Sequence, residues 1–261
     1  MEVIIQKNAE AAAQLTAALI GDALRLKPNL VLGLATGRTM ERLYGILAEK
    51  HQREGLDFSL AVTFNLDEYI GLPAADPNSY RSYMNHYLFN NINIDPRNTH
   101  LPNGTAHDLD AGCRDYEETI RDHGGIDLQL LGIGVTGHIG FNEPLSAMRS
   151  RTRCKALTPG TIAQNAPQFE KPEDMPKRAI TMGVGTILDS RRCIMLVTGE
   201  SKADIVAKAV EGPITSMISA TALQLHERCT VIVDEDAAAK LTQQDYYRWI
   251  FQNEPEWEPY R

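Results

Sequence analysis

Thirteen residues, Gly132-Ile133-Gly134-Val135-Thr136-Gly137-His138-Ile139-Gly140-Phe141-Asn142-Glu143-Pro144, hold four glycines, an imidazole, an amide and a carboxylate. An imidazole titrates near neutral pH, which suits a group that must both take and give a proton. Glu143, five residues after His138, could hold the ring as the third member of a triad holds its base. A lone histidine would read as structural, but His, Asn and Glu together in one glycine-rich loop favour chemistry. A second stretch, Asn65-Leu66-Asp67-Glu68-Tyr69, carries adjacent carboxylates. These suit a general base with an orienting acid, and equally an acidic turn or a helix cap. A third, Thr36-Gly37-Arg38-Thr39, joins hydroxyls, a glycine and a guanidinium, the donor set of an anion site. Glycine turns of that kind are common in any α/β chain.

Such loops need strands to hold them. The apolar runs 29–35, 59–65, 126–134, 192–199 and 229–235 are short and nearly continuous, as expected for parallel strands covered on both faces. Helical periodicity lies between them, over 8–26 with Asn8 as N-cap, 39–52, 107–122, and 200–211 ending at Gly212. The alternation predicts an α/β fold with an open, mostly parallel, Rossmann-like sheet and helices on both faces. Ligands of such sheets bind outside the carboxyl ends of the strands, where the three loops fall. No repeat or flexible linker divides the chain, so one domain is expected over 1–261. The polar, Pro-rich segment 159–177 reads as a surface excursion and a candidate lid. The tail EPEWEPYR shows no pattern.

Two other chemistries fit poorly. No G-x-S-x-G marks a serine nucleophile. Gly132, Gly134 and Gly137 match a dinucleotide fingerprint in spacing, but His138 stands where the helix should begin and the acidic partner about twenty residues on is missing.

The chain has 26 basic and 34 acidic residues, a formal net charge of −8, and no Lys/Arg run longer than two. That disfavours nucleic acid as a partner, while a few placed donors still suit a small anion. No apolar run approaches the ~18 residues that span a bilayer, and the opening MEVIIQKNAEAAA lacks a leader pattern. The four cysteines are widely spaced and read as reduced thiols. A cytoplasmic location is expected, with no metal and no cofactor.

The three loops, in this order, resemble the glucosamine-6-phosphate deaminase family. The carrying residues are T-G-x-T at 36–39, T-F-N-L-D-E-Y-I-G-L-P at 63–73 and G-x-G-x-x-G-H-I-G-F-N-E-P at 132–144. S-R-T-R at 150–153, G-V-G-T-I-L-D at 183–189, S-K-A at 201–203, A-V-E-G at 209–212 and L-Q-L-H at 223–226 extend the likeness over nearly the whole chain. The resemblance implies conversion of glucosamine 6-phosphate to fructose 6-phosphate and ammonia. Asp67 would move a proton between C2 and C1, and His138 would open the sugar ring with Glu143 and Thr136 beside it. Glu68 would be a supporting carboxylate. Thr36, Gly37, Arg38, Thr39, Glu68, Gly137 and Lys202 would bind the substrate and its phosphate.

Three departures from the family pattern stand out. Thr136 replaces an Asp or Asn, the stretch Asn165-Ala166-Pro167-Gln168-Phe169 lacks an Arg that clamps phosphate, and Arg38 replaces a small residue. Arg38 could supply the missing guanidinium. Regulated relatives are hexamers that bind N-acetylglucosamine 6-phosphate between subunits, and Ser146, Arg153 and Lys155 match that effector site. Tyr246 or Tyr247 of the tail would take part. The alternative is that these basic residues form a solvated face. Galactosamine 6-phosphate as substrate, a lactonase, and a non-catalytic sugar-phosphate sensor are the competing readings. The lactonase needs no carboxylate to shift a C2 proton, and a sensor that regulates DNA needs a reading element that residues 1–28 do not show.

Overall fold

The structure, a computed structural model, describes residues 1–261. Along the chain run β1 (Glu2–Gln6), α1 (Ala9–Leu26), β2 (Val31–Leu34), α2 (Arg38–Glu54), β3 (Val62–Asn65), β4 (Asp67–Tyr69), α3 (Tyr80–Tyr87) and β5 (Thr99–His100). There follow α4 (Leu109–Asp122), β6 (Leu128–Leu131), β7 (Arg153–Ala156), α5 (Pro159–Asn165), β8 (Arg178–Thr181), α6 (Val184–Leu188), β9 (Cys193–Val197), α7 (Ala203–Glu211), β10 (Cys229–Asp234), α8 (Glu235–Ala238) and α9 (Gln244–Asn253). Seven strands form one parallel sheet in the order β1-β10-β9-β6-β2-β3-β5. Every residue of β2, β6, β9 and β10 is buried, which is why their sequences run apolar without alternating.

From β2 the chain moves outward through β3 to β5, then returns to lay β6 on the other side of β2. The direction of winding reverses between β2 and β6. A crevice opens at such a switch point, outside the carboxyl ends of the strands. The loops after β2, β3, β6 and β9 all meet there.

A second sheet, β4-β8-β7, is antiparallel and small. The expected strands and helices are present, with shifted ends: 126–134 is strand only over Leu128–Leu131, and 200–211 begins as a turn of 3-10 helix before α7. Asn8 caps α1 as expected, its side chain accepting from the Ala11 amide at 2.9 Å. Gly212 does follow α7, but in extended backbone (φ −80°) rather than a left-handed turn. Its small size is needed there because a Cβ would meet the Lys208 carbonyl oxygen at 2.4 Å.

Segment 159–177 is not a bare excursion. It forms α5 and two short 3-10 turns, and Ala166, Phe169 and Met175 pack with Tyr69, Phe141, Leu157 and Ala179 in a small core of their own. The tail also has a pattern after all. Trp257 is fully buried in the main core from a 3-10 turn over Pro255–Tyr260. No helix is long and apolar enough to cross a membrane.

Candidate active site

A cleft of about 710 Å³ opens at the switch point. Its anion end is built from Thr36, Gly37, Arg38 and Thr39 on one side and Thr198, Ser201 and Lys202 on the other. Gly37 holds φ +118°, a region that side chains other than glycine avoid, and so starts α2 abruptly. No side chain caps α2, and although the Met40 amide donates to the Gly37 carbonyl oxygen at 2.9 Å, the Arg38 and Thr39 amides at the helix start are left without a side-chain partner, as an anion site requires. The Lys202 ammonium is half-buried and donates to the Ile133 carbonyl oxygen at 2.8 Å. Burial lowers its pKa.

The floor is Asp67, 5% exposed. It lies on β4 with Tyr69 on the same face, while Glu68 points to the opposite one, since strand side chains alternate. Burial pushes the Asp67 carboxyl up to about 8, with the Glu68 charge adding to the shift, and no hydrogen bond offsets it. A carboxylate in that condition takes a proton readily.

Glu68 corrects the sequence expectation. It does not line the cleft. Its Oε1 accepts the Tyr69 and Tyr80 amides at 2.8 and 3.0 Å, and its Oε2 the Arg81 amide at 3.0 Å. It therefore holds the start of α3 against β4. Burial raises its pKa and these three amides oppose the rise.

His138, 8% exposed, also lines the cleft. Its Nδ1 lies 3.0 Å from Glu143 Oε2 and 2.8 Å from Thr136 Oγ1. Ionised Glu143 can only accept, which assigns the proton to Nδ1 and leaves the Nε2 lone pair free. Burial pushes the Glu143 carboxyl up, but its hydrogen bonds to His138, Thr161 and Thr158 outweigh this and hold it at about 2. Gly134 explains part of the glycine richness: a Cβ there would stand 2.0 Å from His138 Nε2. Gly140 lets the same loop pass close to Asp67, whose Oδ2 would be 3.4 Å from a Cβ at that position.

Gly137 is the second correction. It does not line the cleft, and a Cβ on it would collide with Ile218 and Ile205. It serves packing at φ +81°. Thr136 also stays out of the cleft lining and works behind the imidazole.

Several lining residues were given no role from the sequence, although Asn165 and Gln168 lie in the 165–169 stretch noted there. Tyr80 on α3 bonds its hydroxyl to that of Tyr69 at 3.2 Å, and Asn165 donates to the same Tyr69 oxygen at 3.1 Å. Gln164 and Gln168 line the rim from α5 and the turn after it. Thr158-Pro159 was readable as a helix start, N-cap followed by proline, but nothing in it names Glu143 as a partner.

Ser146 and Arg153 are brought together outside the cleft. Arg153 Nη2 donates to Ser146 Oγ at 3.1 Å and Nη1 to Asn142 Oδ1 at 2.9 Å. Burial lowers the Arg153 pKa, and no carboxylate pairs with it. Lys155 follows two residues on along β7. No three His, Cys, Asp or Glu side chains converge in a way that could hold a metal ion.

A model of the family of glucosamine-6-phosphate isomerases and 6-phosphogluconolactonases matches residues 5–232. A glucosamine-6-phosphate deaminase of Hahella chejuensis is 51% identical over 250 residues, which is 96% of this chain and 95% of its own. One from Arthrobacter sp. is 46% identical over 258 residues, 99% of each chain. A solved structure described as a monomeric glucosamine-6-phosphate deaminase superposes with a TM-score of 0.90 at 45% identity, covering 92% of this chain and 100% of its own. A 6-phosphogluconolactonase from Trypanosoma cruzi superposes with a TM-score of 0.74 at 20% identity, covering 92% of this chain and 97% of its own, a likeness of fold alone.

Proposed function

The chain belongs to the family of glucosamine-6-phosphate isomerases and 6-phosphogluconolactonases, and we propose that its cleft turns glucosamine 6-phosphate and water into fructose 6-phosphate and ammonia. The observation that carries the deaminase reading over the lactonase one is Asp67, a buried carboxyl without a hydrogen-bond partner on the cleft floor. Lactone hydrolysis has no use for a base aimed at carbon. Moving a proton between adjacent carbons does.

The residues divide the work as follows. The phosphate sits at the α2 amides with Thr36, Thr39 and Lys202. His138 Nε2 takes the anomeric hydroxyl proton and returns one to the ring oxygen, which opens the hemiacetal. Glu143 and Thr136 carry the Nδ1 proton through this exchange. Asp67 then takes the C2 proton and delivers it to C1. The enolamine becomes a C2 ketimine, and water replaces its nitrogen. The substrate's C2 ammonium, next to Asp67, favours the ionised carboxylate that the free protein holds only above about pH 8.

Arg38 is exposed at the mouth of the anion end. It supplies the guanidinium that the 165–169 stretch lacks. Arg38→Ser should raise KM for the sugar phosphate with kcat retained, and an unchanged KM removes this role. The preferred epimer is tested by ammonia release from glucosamine 6-phosphate and galactosamine 6-phosphate in parallel. Faster release from the gluco sugar supports the reading, and faster release from the galacto sugar moves it to the epimer. Tight sugar-phosphate binding without release from either would make the chain a sensor.

The Ser146–Arg153 contact favours an effector reading, because a half-buried guanidinium without a carboxylate is ready for an anionic sugar. N-acetylglucosamine 6-phosphate would bind at Ser146, Arg153 and Lys155. A hexamer would complete such a site across subunits, whereas the 45% identical solved relative is described as monomeric. Sedimentation with and without the effector, beside the substrate saturation curve, separates a cooperative assembly from a hyperbolic monomer.

A further inference from the structure

The Glu143 carboxylate serves two parts of the molecule at once. Its Oε2 meets His138 Nδ1 at 3.0 Å and the Thr136 hydroxyl at 3.4 Å. Its Oε1 accepts the Thr158 amide and the Thr158 hydroxyl, each at 3.1 Å, and the Thr161 hydroxyl. Thr158 is the N-cap of α5, and Thr161 lies in its first turn. That helix and the turn after it form a cleft wall through Thr161, Gln164, Asn165, Gln168 and Phe169. The imidazole and this wall thus hang from opposite oxygens of one side chain.

We propose that Thr158 and Thr161 are positioning residues for ring opening, which through Glu143 fix the plane and tautomer of His138 and tie them to the seating of α5. The proposal rests on the deaminase reading above for its step, but not for its geometry. A glutamate side chain has three torsions to lose, and one bond to an imidazole leaves the carboxylate free to rotate. Three donors on the far oxygen remove that freedom. They also keep the carboxylate ionised, so it remains an acceptor and keeps the proton on Nδ1. If α5 lifts, Oε1 loses its donors together, and the imidazole loses its orientation with them. A sugar phosphate that contacts Gln164, Asn165 or Gln168 therefore seats the wall and readies the base in one motion.

The test compares Thr161→Val, Thr161→Ser and Thr158→Val with the unaltered chain. Valine keeps the shape and removes the donor, while Thr158→Val still leaves the Thr158 amide on Oε1. The expected result for Thr161→Val is a fall in kcat of about tenfold, the loss of one hydrogen bond to a charged group, with KM changed less than twofold. Serine restores the rate. Histidine 15N spectra should show His138 as the Nδ1–H tautomer in the unaltered chain and the Ser variant, and as a mixture in Thr161→Val. Thr158→Val should act in the same sense and more weakly, which covers a Thr161→Val chain that does not fold. Unchanged kcat and an unchanged His138 spectrum in the folded valine variants would overturn the proposal, as would a rate loss that serine does not restore. The spectra need no turnover. If the chain released no ammonia at all, the deaminase reading would fall while the coupling would still be judged by the His138 tautomer.

Discussion

Asp67 and Arg153 stand in one row of the small antiparallel sheet, each registered directly with Thr181 between them. Registered side chains of antiparallel strands share a face. The cleft's buried carboxyl and the half-buried guanidinium outside it are therefore separated by one strand. Thr181 also accepts the Phe141 amide at 3.0 Å, and Arg153 holds Asn142, so the middle of the row and its Arg153 end both grip the loop that carries His138.

Arg153→Met should be felt in two ways. The Asn142 carbonyl oxygen, on a fully buried side chain, loses the guanidinium that pairs with it, a cost of ~1–3 kcal/mol. Thermal denaturation should show this loss, and isothermal titration with N-acetylglucosamine 6-phosphate should show no binding heat. Stability equal to that of the unaltered chain would mean that Asn142 finds another donor.

Lys202→Met should act on binding. The ammonium faces the anion end from the protein's side with a neutral carbonyl as its partner, so its charge is available to phosphate. Removing a charge-assisted bond costs ~1.5–3 kcal/mol, a rise in KM of roughly ten- to a hundredfold with a smaller effect on kcat. A fall in kcat at constant KM would place Lys202 in the chemical step instead.

Two alanine substitutions in the glycine-rich loop should differ in kind. Gly134→Ala puts a methyl where His138 Nε2 lies, so activity should drop at least a hundredfold (~2.7 kcal/mol or more) while the fold survives by moving the imidazole. Gly137→Ala strains φ +81° and presses on Ile205 and Ile218, so its loss should appear as a lowered Tm. Circular dichroism melts beside initial rates separate the two. Equal loss of Tm in both would deny Gly134 its particular relation to the ring.

The pH dependence follows from Asp67. Its carboxyl titrates near 4 in an unfolded chain and near 8 in the fold. The folded chain holds the extra proton between those values, so stability falls as pH rises across that window, by up to ~1.4 kcal/mol per pH unit. Asp67→Asn removes the effect. Its Tm advantage over the unaltered chain should be smallest near pH 4 and grow towards pH 8. In the active protein, kcat/KM should climb as pH rises towards about 8, since this parameter follows the ionisation of the free protein and the Asp67 proton must leave for the base to act. A flat profile from pH 6 to 8 would contradict the buried-carboxyl assignment.

Much of this was legible because local chemistry and fold agree. The runs after which Thr36, Asp67 and His138 come are apolar enough to be buried parallel strands, and their carboxyl ends must face one crevice. What hid was set by long-range packing. Glu68 is adjacent to Asp67 in sequence, but strand alternation sends it to the start of α3. Gly137 and Gly134 look alike in the loop, and only their neighbours Ile218 and His138 tell them apart. Tyr80 and Asn165 reach the cleft through tertiary contacts with Tyr69 that no spacing announces. The strand β1 was missed because five residues at an edge give little periodicity, and Trp257 because a lone aromatic in a proline-rich tail has no pattern until the core accepts it.

The most direct measurement is ammonia and fructose 6-phosphate formed from glucosamine 6-phosphate by the unaltered chain and by Asp67→Asn. Equal amounts of both products from the unaltered chain, and a loss of at least a thousandfold in the Asn variant (~4 kcal/mol) with substrate binding retained, are the expected result. Comparable product from Asp67→Asn would contradict the assignment of the base and with it the central reading of the cleft.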